Sequence, residues 1–279
     1  MPLDTFVIGG DLEVRRLGFG AMRITGDGVW GPPKDPEGAK AVLRRAVELG
    51  INLIDTADSY GPHVSEELIA DALHPYPDGL VIATKGGLRR GGPGDWSRDA
   101  RPERLKECCE GSLRRLRVER IDVYQLHAPD PQVPFEDSLG ALAELKQEGK
   151  VRHIGVSNVS VEQLERAREL VDLVSVQNRY NLADRATEDV LEACDGAGIG
   201  FIPWFPLATG DLAGPGGPLE EVARSHDASP GQVALAWLLH RSPVMLPIPG
   251  TSSVEHLEDN AAAAELELGE EEMRALDAA

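Results

Sequence analysis

Short apolar runs alternate along the chain with longer stretches in which apolar residues recur every three or four positions. The short runs predict strands and the periodic stretches predict amphipathic helices. The predicted strands are 17–20, 53–55, 81–84, 121–126, 153–156, 173–177, 201–204 and 245–248. Eight strands that alternate strictly with helices predict a parallel sheet closed into a (β/α)8 TIM barrel.

The residues at the ends of the periodic stretches support the predicted helices. Asp35 is a suitable N-cap and Gly50 follows the last apolar position of the helix predicted over 36–49. The other predicted helices are 65–73, 102–116, 135–147, 161–170, 187–197, 230–240, 254–264 and 270–278. Two short runs around Gly9 and Gly10, 5–8 and 12–14, predict a β-hairpin that closes the bottom of the barrel. Long Gly- and Pro-rich loops at 21–35, 86–101 and 207–219 are expected to shape a pocket.

Length, charge and cysteine content limit the class of protein. A chain of 279 residues with 42% hydrophobic residues suits one domain over residues 1–279. The net charge of −19 argues against nucleic acid or an anionic membrane as a partner. Cys108, Cys109 and Cys194 lack the spacing of a disulfide framework or a metal site, which favours reduced thiols. No leader pattern or membrane-length apolar run is found, so we expect a soluble, cytoplasmic protein.

Four polar residues follow apolar runs and suit proton transfer: Asp55, Tyr60, Lys85 and His127. Reduction of a carbonyl needs a proton donor at the oxygen, and Tyr60 can act as that donor. A cation at Lys85 would favour its ionisation, Asp55 would hold Lys85 charged, and His127 could orient the carbonyl oxygen. Each residue alone is explained as well by ordinary structure. Because the carboxyl ends of parallel strands meet at one barrel mouth, the four together predict an active site.

These residues lie in DTADSYG, IATKGG and YQLHAPD, and with GVSN and QNRYN they resemble the motifs of the aldo-keto reductases. The resemblance extends from LGFGAM to IPGTSSVEHLEDN, which is nearly the whole chain. It implies an NAD(P)H-dependent oxidoreductase that reduces aldehydes and ketones. Tyr60 would be the general acid, Lys85 and Asp55 its tuning pair, and His127 the orienting group. A monomer or weak homo-oligomer is the assembly that the resemblance suggests.

The resemblance also implies a cofactor site. Ser157, Asn158 and Gln177 match residues that bind the nicotinamide carboxamide, and Trp204 stands where relatives stack an aromatic ring on the nicotinamide. The loop that wraps the pyrophosphate would include Phe205, Pro206, Leu207 and Gly210, and the opposite wall Gly20, Ala21 and Met22. The end of the site nearest the last strand would include Gly250, Thr251, Ser252, Ser253, His256, Asp259 and Asn260.

One departure from the family bears on the choice of cofactor. Many relatives place a lysine near Gly250 and an arginine near His256 to hold the 2′-phosphate of NADPH, and this chain has neither. Hydroxyl groups at the start of the predicted helix 254–264 can still bind a phosphate, whereas the nearby acidic residues oppose it. We expect NADPH, with NADH as the alternative. No Gly-x-Gly-x-x-Gly motif follows the first strand, so a Rossmann site is not supported.

The predicted substrate pocket has a partly aromatic and partly polar lining: Met22, Trp30, His63, His127 and Trp204. Such a lining suits flat aromatic aldehydes. Within the family, the segments GDGVWGPPKD, YGPHV and WFPLA are most similar to the bacterial pyridoxal reductases, or pyridoxine 4-dehydrogenases, which makes pyridoxal a candidate substrate. The alternative is a promiscuous aldehyde reductase with another substrate.

Two other classes of function stay open. Some relatives are non-catalytic nucleotide-binding subunits of potassium channels, and the intact catalytic residues do not distinguish these from enzymes. The other class is an unrelated eight-stranded barrel, such as a phosphate-handling isomerase or a metal hydrolase, in which the four residues align by chance. A metal hydrolase would need paired metal ligands, and the histidines show no such spacing. No metal is therefore expected.

Overall fold

An antiparallel hairpin covers one end of the central sheet in the computed structural model, which describes residues 5–207 and 217–278. It consists of β1 (Thr5–Ile8) and β2 (Leu12–Arg15), joined by two glycines with positive φ. Ile8 and Val14 are fully buried and pack in one cluster with Leu53, Val81 and Val123, near the amino ends of the central strands. The hairpin therefore closes the bottom of the barrel, as predicted.

Seven parallel strands form the central sheet of the described chain. They are β3 (Phe19–Gly20), β4 (Leu53–Asp55), β5 (Val81–Gly86), β8 (Ile121–Leu126), β9 (Val151–Ser157), β10 (Leu173–Arg179) and β11 (Gly200–Trp204). Their order in the sheet is β11-β10-β9-β8-β5-β4-β3, which follows the order along the chain. The two strands missing from this series, β6 (Leu88–Gly92) and β7 (Asp95–Arg98), form a separate hairpin in the connection after β5. Each strand thus pairs with its predecessor, as a curling parallel sheet requires.

The eighth predicted strand, 245–248, is an extended segment with a single bridge, between Met245 and Phe201. The backbone N–H of Leu246 donates to Phe201 O (2.8 Å), and the N–H of Gly18 donates to Pro247 O (2.9 Å). The segment therefore joins β11 to the β3 edge and closes the barrel. Pro247 and Pro249 have no N–H group, which explains why regular strand pairing fails here.

Helices flank the sheet and take up most of the chain between its strands. They are α1 (Pro36–Glu48), α2 (Val64–Leu73), α3 (Pro102–Leu116), α4 (Phe135–Gln147), α5 (Val161–Leu170), α6 (Glu188–Ala197), α7 (Pro218–Ser225), α8 (Pro230–Arg241), α9 (Val254–Ala262) and α10 (Glu270–Asp277). Asp35 caps α1 as expected, with Oδ1 accepting from Gly38 N at 2.9 Å. The sequence analysis missed α7, whose short apolar face buries Leu219 and Val222.

The loop predicted over 86–101 contains a second hairpin that the sequence analysis did not predict. It is formed by β6 (Leu88–Gly92) and β7 (Asp95–Arg98), which pair antiparallel. The (β/α)8 barrel fold is confirmed, and the single domain over residues 1–279 stays a prediction. In the described ranges, no helix has the length and apolar character needed to cross a membrane.

Candidate active site

Three strand ends and one connecting loop bring the four predicted catalytic residues together. Asp55 ends β4, Lys85 is the penultimate residue of β5, and His127 directly follows β8. Tyr60 lies in the connection between β4 and α2. Because these strands are parallel neighbours, their carboxyl ends open on the same side of the sheet.

Lys85 is the centre of the buried polar contacts. Its Nζ donates to Asp55 Oδ2 (2.6 Å) and to Thr56 O (2.8 Å), and lies 3.5 Å from the Tyr60 hydroxyl. The side chain is fully buried. Burial alone would lower the pKa of Lys85, but the charge and hydrogen bond of Asp55 outweigh it and raise this pKa. Lys85 is therefore an ammonium ion paired with a carboxylate.

Asp55 accepts hydrogen bonds on both oxygens. Besides Lys85 on Oδ2, the amide nitrogen of Gln177 donates to Oδ1 at 2.8 Å, and that of Gln125 lies 3.4 Å from the same atom. Only 1% of Asp55 is exposed. Three strands, β5, β8 and β10, thus contribute side chains that support the carboxylate carried by β4.

Tyr60 keeps its proton at neutral pH. Burial raises the pKa of its hydroxyl, and the charge of Lys85, which acts in the opposite direction, does not outweigh it. The sequence analysis expected Lys85 to favour ionisation; the direction of that interaction is as expected, but burial is the larger effect. Tyr60 is thus a phenol with a cation 3.5 Å from its oxygen, an arrangement that suits a proton donor.

His127 is a neutral imidazole beside Tyr60. Burial, and secondly the charge of Lys85, hold its pKa well below the usual range. The two rings are edge to face with centroids 5.9 Å apart, and His127 Nδ1 lies 3.4 Å from Ser59 Oγ. A neutral histidine has one N–H donor, so it can hydrogen-bond a carbonyl oxygen without competing for the proton of Tyr60.

A cavity of about 720 Å³ opens above these residues. Of the predicted site residues, its lining includes Gly20, Met22, Asp55, Tyr60, His127, Ser157, Asn158, Gln177, Trp204, Phe205, Pro206, Leu207 and Gly250. Lys85 lies behind Asp55 and Tyr60, with no exposed surface. Gly210 lies outside the described residues.

The predicted nicotinamide-binding residues are also held by one another. Asn158, at φ +61°, donates from Nδ2 to His127 O (2.9 Å) and to Ser157 Oγ (3.0 Å). Its Oδ1 accepts from the indole nitrogen of Trp204 at 3.1 Å. The ring of Trp204 is thereby tied to the strand end that carries Ser157, on one wall of the cavity.

The predicted residues around α9 are divided between a second cavity and structural roles. The second cavity, of about 590 Å³, shares Met22, Arg23, Val29 and Gly250 with the first and is also lined by Lys34, Thr251 and Ser252. Ala21, Ser253, His256, Asp259 and Asn260 are not among the described residues that line either cavity. Ser253 caps α9, and Asp259 accepts a hydrogen bond from Ser229 at 3.0 Å.

Gly250 has no room for a side chain. A Cβ atom there would lie 2.6 Å from Gly20 O and 3.4 Å from Arg23 Cγ. At 2.6 Å a Cβ atom would overlap with the backbone oxygen of Gly20, so the chain would have to shift. With the segment this close to β3, the position of Gly250 does not admit a lysine side chain.

Two of the predicted substrate residues do not line the cavity, and other residues take their place. Trp30 and His63 lie outside the lining among the described residues. Met22, His127 and Trp204 line it, together with Trp96 and Leu88 from the β6–β7 hairpin, which the sequence analysis missed. The Pro-Gly pair at 93–94 between two short alternating segments was a hairpin signal that could have placed Trp96 near the mouth.

The chain is similar to known proteins over nearly its whole length. The sequence model of the family described as "Aldo/keto reductase family" matches residues 16–279. An uncharacterised oxidoreductase of Schizosaccharomyces pombe is 53% identical, over 96% of this chain and 87% of its own. Pyridoxine 4-dehydrogenase of Escherichia coli K12 is 46% identical, over 99% of this chain and 98% of its own.

Solved structures show the same likeness. Glycerol dehydrogenase from Gluconobacter oxydans superposes with a TM-score of 0.90 at 32% identity, covering 100% of this chain and 95% of that one. An aldo-keto reductase from Klebsiella pneumoniae, solved in complex with NADPH, gives 0.84 at 28% identity, covering 99% and 94%. The resemblance found in the sequence is thus confirmed for both family and fold.

Proposed function

Because the chain belongs to the aldo/keto reductase family and is an NAD(P)H-dependent oxidoreductase, we propose that it reduces aldehydes to alcohols, with NADPH as cofactor and Tyr60 as the proton donor. The proposal is supported by two buried side-chain contacts in series, Asp55 to Lys85 at 2.6 Å and Lys85 to Tyr60 at 3.5 Å. The series ends at the Tyr60 hydroxyl, and Tyr60 lines the cavity. When bound, NADPH supplies the hydride for the carbonyl carbon.

The four candidate catalytic residues have separate roles in this reaction. Tyr60 transfers its hydroxyl proton to the carbonyl oxygen as negative charge develops there. Lys85 stabilises the phenolate that is left, and Asp55 keeps Lys85 charged and in place. Neutral His127 donates its N–H to the same carbonyl oxygen and so fixes the position of the reacting group.

The lining of the cavity fits a nicotinamide nucleotide. Ser157, Asn158 and Gln177 present hydroxyl and amide groups, the types that pair with a carboxamide. Trp204 offers an aromatic face for stacking. At the far end, the second cavity has hydroxyl groups at Thr251 and Ser252 and the guanidinium of Arg23, which would bind the phosphate of NADPH in place of the missing lysine and arginine. Lys34 also lines this cavity, but it is paired with Asp27 of the same lining at 2.9 Å.

Pyridoxal is the substrate that we propose to test first, with pyridoxine as the product. The Escherichia coli relative at 46% identity is named for the reverse reaction on this pair. The aromatic side chains in the cavity lining, Tyr60, Trp96 and Trp204, suit a flat heteroaromatic ring. A cytoplasmic location is also proposed, supported by three buried free cysteines.

Replacement of Tyr60 by phenylalanine tests the mechanism. We expect Tyr60→Phe to lower kcat for pyridoxal by about 100-fold or more, because general acid catalysis contributes roughly that factor. The affinity for NADPH, measured by fluorescence titration, should stay nearly unchanged. Tyr76→Phe is the matched control, since Tyr76 donates to Leu116 O far from the cavity, and it should keep the wild-type rate.

Two outcomes would contradict the proposal in different ways. A Tyr60→Phe enzyme that keeps more than about a tenth of the wild-type rate would remove Tyr60 from the proton transfer. A wild-type protein that binds NADPH but reduces neither pyridoxal nor a simple aromatic aldehyde would favour the non-catalytic nucleotide-binding role instead.

A further inference from the structure

The β6–β7 hairpin projects over the mouth of the cavity and carries an aromatic residue into it. Trp96 of β7 lines the cavity, and its ring lies edge to face with Tyr60 and with His127, both at centroid distances of 6.4 Å. Although it touches both of these buried rings, 38% of Trp96 is exposed. An indole with this much free surface beside the proton donor is available to contact a bound substrate.

Arg90, on the opposite strand of the hairpin, packs against the indole of Trp96. Arg90 and Trp96 are directly paired in the antiparallel register, so their side chains share one face of the hairpin. The guanidinium carbon lies 3.5 Å from the centroid of the indole ring. One face of the indole is thereby covered by Arg90, and contact with a substrate falls to the rest of the ring.

The guanidinium of Arg90 also ties the hairpin to the rest of the barrel mouth. All of its hydrogen bonds go to backbone carbonyls, namely those of Gly28 (2.9 Å), Val29 (2.7 Å), Ser59 (3.1 Å), Gly92 (3.3 Å) and Asp95 (3.1 Å). These carbonyls belong to the loop before α1, the segment that carries Tyr60, and the hairpin itself. Only a planar group with several fixed donors can satisfy so many acceptors at once.

We propose that Trp96 selects flat aromatic carbonyl compounds by packing against the ring of the substrate, and that Arg90 is the positioning residue that holds the indole beside Tyr60 and His127. The inference rests on the proposed carbonyl reduction and narrows its substrate class. A carbonyl oxygen held between the Tyr60 hydroxyl and His127 places the substituent of that carbonyl next to the indole. Aromatic rings gain from offset or edge-to-face contact there, whereas a short aliphatic chain gains little.

The experiment compares kcat and KM for pyridoxal, benzaldehyde and propanal with saturating NADPH. In Trp96→Ala we expect kcat/KM for the two aromatic aldehydes to fall about tenfold or more, mainly through KM, and that for propanal to change less than about twofold. Trp96→Phe, which restores a ring, should recover most of the preference for aromatic substrates.

Arg90 is tested by two substitutions and a control on the same hairpin. Arg90→Met should reduce the aromatic preference in the same direction as Trp96→Ala, and Arg90→Lys should not restore it, because an ammonium group cannot reproduce the fork of hydrogen bonds. Arg89→Met is the matched control, since exposed Arg89 pairs with Asp99 and does not line the cavity. Its aromatic preference should equal that of the wild type.

The outcomes separate this inference from the function on which it rests. Equal losses for aromatic and aliphatic aldehydes in Trp96→Ala, or no loss, would overturn the selecting role while leaving the carbonyl reduction in place. Full aromatic preference in Arg90→Lys and Arg90→Met would overturn the positioning role. A wild-type protein that reduces none of the three aldehydes would overturn both the proposed function and this inference.

Discussion

Burial and charge pairing act together at the residues of the candidate active site. Asp55 and Lys85 are both buried, and a pair of this kind is tolerated because each charge has its partner and further hydrogen bonds. Tyr60 shares the same surroundings, but its neutral form is the one that burial favours. The same buried site therefore keeps Lys85 charged and Tyr60 protonated. This combination suits a proton donor beside a cation.

The preference between NADPH and NADH is a second property that we expect single positions to decide. We expect His256→Arg to strengthen NADPH binding relative to NADH by about tenfold, because a guanidinium can pair with the 2′-phosphate through charged hydrogen bonds. Gly250→Lys, the other change toward the family pattern, should bring no gain, since its Cβ would lie 2.6 Å from Gly20 O.

Fluorescence titration of both nucleotides measures this difference, and His256→Gln serves as the uncharged control. A Gly250→Lys protein that binds NADPH as well as His256→Arg does would show that the chain around Gly20 moves freely, contrary to the close contact described above.

At the scale of elements, the interface between α2 and α3 contains polar groups that are not part of the proposed mechanism. Asp58, just before α2, is 2% exposed, and its Oδ1 has no hydrogen-bond partner in the described chain. Burial raises the pKa of Asp58 to about 7, and the charge of Glu66 on α2 acts in the same direction. A hydrogen bond with the Cys108 thiol, and after it the charges of Arg104 and Arg115, all on α3, oppose this shift without cancelling it.

A raised carboxyl pKa makes the stability of this interface depend on pH. Between about pH 4 and 7, the native state keeps a proton on Asp58 that the unfolded chain has released, so the free energy of unfolding falls as pH rises. We expect Asp58→Asn to remove this slope and to gain about 2 kcal/mol over the wild type between pH 5 and pH 8.

Urea unfolding at the two pH values measures this change. Asp78→Asn is the control, because Asp78 is exposed in a turn and its replacement should shift both values equally. A difference between wild type and Asp58→Asn that is the same at pH 5 and pH 8 would refute the role of Asp58 in the pH dependence.

At the scale of the whole molecule, the closure of the barrel depends on a buried arginine near the first strand. Arg16 is 4% exposed and donates to Leu239 O (2.6 Å), Ser242 O (2.5 Å) and Met245 O (3.3 Å). It thus joins the start of the barrel to the end of α8 and the extended segment that completes the ring. Pro247 and Pro249 leave this segment with few backbone hydrogen bonds to its neighbouring strands. The side-chain hydrogen bonds of Arg16 therefore contribute more to the closure of the barrel.

Replacement of Arg16 should therefore weaken the whole barrel. We expect Arg16→Met to lower the free energy of unfolding by about 2–4 kcal/mol, because three buried carbonyls lose a charged donor. Arg15→Met, at the neighbouring position where the residue is exposed, should cost less than about 0.5 kcal/mol. Equal costs for the two variants in urea unfolding would mean that the closure does not depend on Arg16.

The sequence by itself determined the order of the barrel strands and singled out the residues that we propose to carry the chemistry. Asp55, Lys85 and His127 could be placed because each follows a local apolar run, and the carboxyl ends of parallel strands must meet. The helix ends at Asp35 and Gly50 were equally readable, since capping is a matter of neighbouring residues. Family and fold followed from the order of these motifs along the chain.

Only the tertiary structure decided what depends on contacts between distant segments. The role proposed for Trp96 rests on its position beside Tyr60 and His127, and that proposed for Arg90 on carbonyls from three segments. The pKa of Tyr60 depends on burial, which no local pattern encodes, so the sequence could predict only the opposing effect of Lys85. The same holds for Gly250, where the approach of another backbone excludes a side chain. Local patterns set the elements, and packing between elements set the shape and charge of the site.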